Sequence, residues 1–385
     1  MITRLKSTRI ITPDGVRDGY LYFSEEGIIA VTGERDPQLS FDSECDVGDL
    51  YVSPGFIDIH THGAMDVDYC SAESVDDINR ALAFQLSHGA TTVLPTVTSS
   101  TPADTAAALR LLSEAIRQGC AANVPGVHLE GPFFSPKQCG AQNPELITPP
   151  RVEIYEPLLR EFGDIIVRWD YAPERDEGCE FCRALVNNSV LPSAGHTDAE
   201  YEDMLAAHEC GMKLVTHLYS CTSTITRRGG FRHLGVTECA YLFDDLYAEI
   251  IADGKHLPPE LLRLIFKLKR HDRLILVTDS LRVAGVNATE SVVGGVPCII
   301  EDGVCKLRDR TAFAGSVATA DRLVRVVTAD AGLEVDDAVR MISENPARLF
   351  GLNTGRLESG RDADVVVFDD EINIKQVYLR GVRAF

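Results

Sequence analysis

The feature that most restricts the possible folds is an eightfold alternation of strand-like and helix-like segments through the middle of the chain. The strand-like runs are the stretch Pro54 to Gly63, then Thr91–Leu94, Gly126–Gly131, Ile165–Trp169, Val190–His196, Lys213–Leu218, Ala248–Ile251 and Leu274–Asp279. Helical patterns lie between most of them. One is opened by a capping box, Ser74 with Asp77, and closed at Gly89, and another covers Ala103–Arg117. Eight strand–helix units predict an α/β fold, a (β/α)8 barrel over residues 54–354, with its functional residues at the C-terminal ends of the strands. Residues 1–53 read as short strands with turns at Asp14-Gly15 and Glu26-Gly27, and Ala363–Phe368 and Gln376–Gly381 repeat that texture. The two ends, 1–53 and 355–385, are therefore expected to pair into one sheet beside the barrel.

Bulk properties narrow the function classes. With 45% apolar and 25% charged residues the 385-residue chain is globular, and no run reaches the roughly 18–20 apolar residues of a membrane span. The start, Met1-Ile2-Thr3-Arg4, enters strand-like alternation with no apolar leader, so a cytoplasmic protein without membrane attachment is expected. A formal charge of −21 opposes a nucleic-acid partner, which needs clustered Lys and Arg. Eleven scattered cysteines read as reduced thiols. The pair Cys179-Glu-Phe-Cys182 lacks the second pair of a zinc ribbon and reads as a spacing on a helix.

Within Pro54–Gly63, polar and apolar residues alternate with period two, which places Asp58, His60 and His62 on one strand face. Two imidazoles so spaced can hold one metal ion, or can be a half-exposed pair near a turn. The other strand ends decide between these. A closed barrel brings His60 and His62, Glu130, His196, His217 and Asp279 to one rim, and four imidazoles with two carboxylates suit one or two zinc, iron or manganese ions. His88 and His128 read instead as structural or surface residues. An ion in such a site lowers the pKa of a bound water toward about 7 and can polarise a carbonyl. Asp279 is then the general base, or a further metal ligand, or both.

The same residues carry a resemblance. Pro-Gly-Phe-Ile-Asp-Ile-His-Thr-His-Gly, His128-Leu129-Glu130-Gly131-Pro132-Phe133, Gly195-His196-Thr197, Thr216-His217-Leu218-Tyr219, Asp253-Gly254-Lys255-His256 and Val277-Thr278-Asp279 resemble, in that order, the N-acetylglucosamine-6-phosphate deacetylases of the amidohydrolase superfamily. Gly315-Ser316, Asn345-Pro346-Ala347-Arg348 and Asp362-Ala363-Asp364-Val365 extend the match nearly to the chain end. The resemblance implies a metal-dependent amide hydrolase that cleaves N-acetylglucosamine 6-phosphate to glucosamine 6-phosphate and acetate. It implies one ion on Glu130, His196 and His217, and a second on His60 and His62 with Glu130 shared. It also implies that the two chain ends, 1–53 and 355–385, build a small β-sandwich domain, and that the protein is a homodimer whose partner subunit helps close the substrate site.

The substrate side departs from the family pattern. Where the family has Ala-His-Asn-Pro this chain has Ala141-Gln142-Asn143-Pro144, and an uncharged amide donor stabilises an oxyanion less than a histidine. Family Asn-Ala-Met becomes Ser220-Cys221-Thr222, and Gly-Ser-x-Leu-Thr-Met becomes Gly315-Ser316-Val317-Ala318-Thr319-Ala320. The phosphate arginine falls at Arg227 or Arg228, before Gly229-Gly230-Phe231 in place of Glu-Pro-Gly. The expected substrate contacts are Gln142, Ser220, Cys221, Arg228 and His256. These changes leave room for another N-acetylated sugar, phosphorylated or not, for an N-acylated amino acid, or for a cyclic amide. A silent scaffold or sugar sensor is opposed by the six intact rim residues.

Overall fold

The computed structural model describes residues 1–385. Eight barrel strands, Phe56–Thr61, Ala90–Thr98, Val127–Glu130, Ile166–Tyr171, Leu191–Ala194, Leu214–Val215, Tyr247–Ile250 and Leu274–Leu276, each pair in parallel with the next. The seam between last and first closes through Asp279 N–H to His60 O (2.9 Å) and His62 N–H to Ser280 O (2.8 Å). All eight expected strands are present. The sixth is shorter than its apolar run, because the chain turns out of the ladder at His217, whose φ is +29°.

Each helix buries a stripe against the sheet. Val75–Ser87 is N-capped by Ser74, whose hydroxyl accepts from Asp77 N–H at 3.1 Å, and it buries Ile78, Ala81, Leu82 and Leu86, the i, i+3, i+4 spacing of one helix face. Pro102–Gln118 is capped by Thr101 and buries Ala108, Leu109, Leu112 and Ala115. A separate apolar cluster joins Ile57, Ile59, Leu94, Leu214, Ile275 and Val277. Strands two and six, which supply Leu94 and Leu214, stand on opposite sides of the ring, so this cluster plugs the barrel interior.

The chain ends form one eight-stranded sheet, in which Tyr51–Pro54 pairs antiparallel with Val365–Phe368 and joins the N-terminal strands to the C-terminal ones. The sheet folds over itself. Phe23 and Tyr378, on strands far apart in its order, meet edge to face at 5.0 Å above a core of Leu5, Ile10, Leu21, Val52, Val365 and Val367. One element was not anticipated from the sequence: strands Glu290–Val293, Val296–Glu301, Val304–Leu307 and Phe313–Gly315 form a small sheet after the eighth barrel strand and lie over its rim. No helix is long and apolar enough to cross a membrane.

Candidate metal centre

Glu130 is the last residue of the third barrel strand, and His196, His217 and Asp279 follow the fifth, sixth and eighth by two or three residues. The last three have φ of +46°, +29° and +47°. A non-glycine residue in the left-handed region costs roughly 1–3 kcal/mol and persists only where the surroundings enforce it. Here that turn carries the side chains to the rim. The six residues form two groups whose ligand atoms lie within 4.8 Å of one another, Glu130 with His196 and His217, and His60 with His62 and Asp279.

Glu130 joins the groups. Its Oε1 lies 3.1 Å from His196 Nε2, 3.2 Å from His217 Nε2 and 3.6 Å from His60 Nε2, and its Oε2 lies 3.4 Å from His62 Nε2. Asp279 Oδ1 is 3.2 Å from His62 Nε2 and 3.6 Å from His60 Nε2. Two observations favour a cation here. His60 Nε2 is buried with no hydrogen-bond partner, and His196 and His217 point their Nε2 atoms at each other across 3.2 Å. Burial alone would drive protons off His60 and His62, yet neighbouring carboxylates, Asp279 and Glu130 at both rings and Glu249 at His60, outweigh it and hold both above the ordinary histidine range. The site therefore draws positive charge, which a divalent ion would supply without protonating the ligands.

Asp58 does not join the imidazoles. The strand register is irregular between Asp58 and Thr61, and Asp58 instead accepts from Thr278 N–H (3.2 Å), the Thr278 hydroxyl and His60 N–H (3.3 Å). It ties the first strand to the last at the seam. His128 is fully buried, 3.0 Å from Asp170 Oδ2, and burial together with Arg168 pushes its pKa down to about 4. His88 stands against Asp321 at 3.1 Å on the protein's outer layer.

A cavity of about 260 Å³ opens above the two groups. Gln142, Ser220, Cys221 and His256 line it, as do Thr98, Tyr219, Val293 and Phe313, which sequence reasoning missed. Gln142 is largely committed: its amide donates to Glu130 Oε2 (2.8 Å), and its oxygen accepts from the Thr98 hydroxyl (2.9 Å) and Ser99 N–H (3.2 Å). His256 is held through Nδ1 by Asp253 (2.9 Å), with its ring edge-on to Phe313 at 4.9 Å. Arg228 is not brought to this cavity. It sits on an exposed hairpin, Thr226–Arg228 with Phe231–His233, and pairs with Glu200.

The amidohydrolase family profile matches residues 51–383. The chain belongs to the amidohydrolase family. This amidohydrolase is 32% identical to the N-acetylglucosamine-6-phosphate deacetylase of Bacillus subtilis (strain 168), over 99% of this chain and 96% of that one. It is 27% identical to the N-acetylgalactosamine-6-phosphate deacetylase of Escherichia coli O157:H7, over 99% and 98% of the two chains. The crystal structure of the N-acetyl-D-glucosamine-6-phosphate deacetylase from Mycobacterium smegmatis aligns with a TM-score of 0.91 at 29% identity, covering 100% of this chain and 100% of that one. The barrel and small sheet anticipated from the strand pattern are thus those of the family.

Proposed function

We propose that this amidohydrolase is a metal-dependent deacetylase that hydrolyses N-acetylglucosamine 6-phosphate to glucosamine 6-phosphate and acetate. The carrying observation is the convergence of two ligand groups on one cavity floor, joined by Glu130, in a chain matched end to end by deacetylases. Glu130, His196 and His217 would hold one ion, and His60 and His62, with Glu130 shared, a second. Zinc fits this mix of imidazole and carboxylate, and iron or manganese are the alternatives. When bound, such an ion lowers the pKa of a water toward about 7 and polarises an amide carbonyl.

The protein's own groups do the rest. In the metal-free site Asp279 is held below the ordinary carboxylate range; burial opposes this, and the adjoining His62 and His60 outweigh it. Asp279 is thus ionised at neutral pH and ready to take a proton from the attacking water and return it to the leaving nitrogen. Gln142 has a second amide N–H beyond the one given to Glu130, which fits an oxyanion donor for the acetyl carbonyl. Ser220, Cys221 and His256 line the wall where the sugar would lie. Arg228, clear of its own cavity, fits a contact to the sugar phosphate across the interface of the expected homodimer.

The Escherichia coli relative gives a second reading specific weight, the galactosamine epimer. Acetate release by metal-loaded protein, compared across N-acetylglucosamine 6-phosphate, N-acetylgalactosamine 6-phosphate, N-acetylglucosamine and N-acyl amino acids, tests both. The expected result is the highest kcat/KM on the first. A higher value on the second moves the assignment to that epimer, and turnover confined to N-acyl amino acids refutes the sugar reading.

A further inference from the structure

Beneath the metal groups the barrel interior holds a guanidinium. Arg168, on the fourth strand, and Glu249, on the seventh, are both fully buried. Every donor of Arg168 is used: Nε bonds to Asp170 (3.0 Å) and Ser193 (3.1 Å), one terminal nitrogen to Ile59 O (3.2 Å) and Glu249, and the other to Thr216 (2.9 Å), Asp170 (3.2 Å) and Glu249 Oε2 (3.1 Å). Glu249 Oε2 also faces His60 Nδ1 at 3.2 Å and accepts from His217 N–H at 3.2 Å.

Stability does not explain this arrangement. Desolvating an ion pair costs several kcal/mol per ion, and apolar residues of similar volume fill such a space at least as well. Orientation does explain it. A carboxylate on Nδ1 fixes the proton there and leaves the Nε2 lone pair free, and His60 Nε2 is the unpartnered atom that faces Glu130 and Asp279. One guanidinium against the two carboxylates of Asp170 and Glu249 also leaves a single excess negative charge below the site, which favours a cation above it.

We infer that Glu249, held in place by Arg168, is a positioning residue that sets the His60 tautomer and thereby builds the second metal site, the one at His60 and His62. This rests on the metal-centre reading above. Glu249→Gln inverts the device: its amide oxygen accepts from Arg168, and its N–H₂ then donates to His60 Nδ1 and moves the ring proton to Nε2, where it blocks the metal.

The test is equilibrium Zn²⁺ titration of metal-free protein against a competing chelator, with bound metal counted by mass spectrometry. Wild type should bind two ions per chain. Glu249→Gln should weaken one site by about 10–100-fold and spare the other. In a His60→Ala background the same substitution should add less than about twofold, as expected if it acts through that ring. Nitrogen-15 histidine spectra of metal-free wild type, recorded at a pH high enough for the His60 ring to carry a single proton, give a check that does not depend on a variant folding: that proton should lie on Nδ1, and a neutral ring protonated on Nε2 overturns the inference. Two-ion binding that Glu249→Gln leaves intact refutes the positioning role while the deacetylase reading stands. A wild type that binds no ion refutes both.

Discussion

Replacing Gln142 tests whether its hydrogen bonds or its bulk hold Glu130 in place. Gln142 is 6% exposed, and its amide links Glu130 Oε2 on one side to Thr98 and Ser99 N–H on the other. Gln142→Leu keeps the volume and removes all three bonds. Losing a bond to a charged oxygen costs about 1.5–3 kcal/mol, and a stranded backbone N–H about 1–3 kcal/mol. The Thr98 hydroxyl can rotate to another acceptor, and burying the leucine returns about 1–2 kcal/mol. The net loss is about 2–3 kcal/mol. Gln142→Ala removes more side chain, yet it opens the position to water from the adjoining 260 Å³ cavity. A bridging water costs about 0–2 kcal/mol of immobilisation and can pair with both Glu130 and Ser99, so the net loss is about 1–2 kcal/mol. The expected order is therefore the reverse of that for an apolar core, with leucine more damaging than alanine. Denaturant unfolding of the metal-free variants at pH 7 measures it. Leucine equal to or more stable than alanine would refute the hydrogen-bond account. In the same series Gln142→His should raise kcat/KM on N-acetylglucosamine 6-phosphate about tenfold, as a charged donor stabilises the oxyanion better; a gain well below that removes Gln142 as the limiting group.

Asp279→Asn should lower kcat by about 10²–10⁴-fold while the Glu130, His196 and His217 group keeps its ion, so metal retained with full turnover would exclude Asp279 as the base. Gly140→Ala should weaken metal binding at His196: at φ +57° the new Cβ would stand 2.4 Å from Cys221 Sγ and 3.4 Å from His196 Cε1. Adding Cys221→Ala should recover most of that affinity, and failure to do so would mean the backbone angle, not the thiol, is limiting. Lys269 is buried, donates to Phe243 O at 2.7 Å, and burial brings its pKa down to about 8. A lysine whose folded pKa lies below its unfolded one destabilises below about pH 8 and recovers as pH rises toward 10.5. Lys269→Met should therefore be most favourable to stability at pH 7 and lose up to about 3 kcal/mol of that advantage by pH 10.5. A pH-independent difference between the two proteins would show that the ammonium is not desolvated.

The amino-acid sequence determined the barrel and its rim. Strand-to-helix alternation is a local property, and once eight strands close, a histidine or carboxylate at a strand end has nowhere to go but the rim, which is why His60, His62, Glu130, His196, His217 and Asp279 were all legible. Tertiary structure decided what lies beneath and beside them. Strands buried on both faces carry no inside–outside alternation, so Arg168 and Glu249 read as ordinary strand residues, with Asp170 just past the end of its strand-like run, until closure of the ring turned all three inward against each other. Asp58 matched the period of the two histidines, but an irregular register sent it to the seam with Thr278. Gln142 stood in a recognisable motif, yet its bonds to Glu130, Thr98 and Ser99 arise from loops brought together by the fold. Arg228 shows the converse: a residue type suited to phosphate lies on a hairpin that the chain's own topology holds away from its cavity.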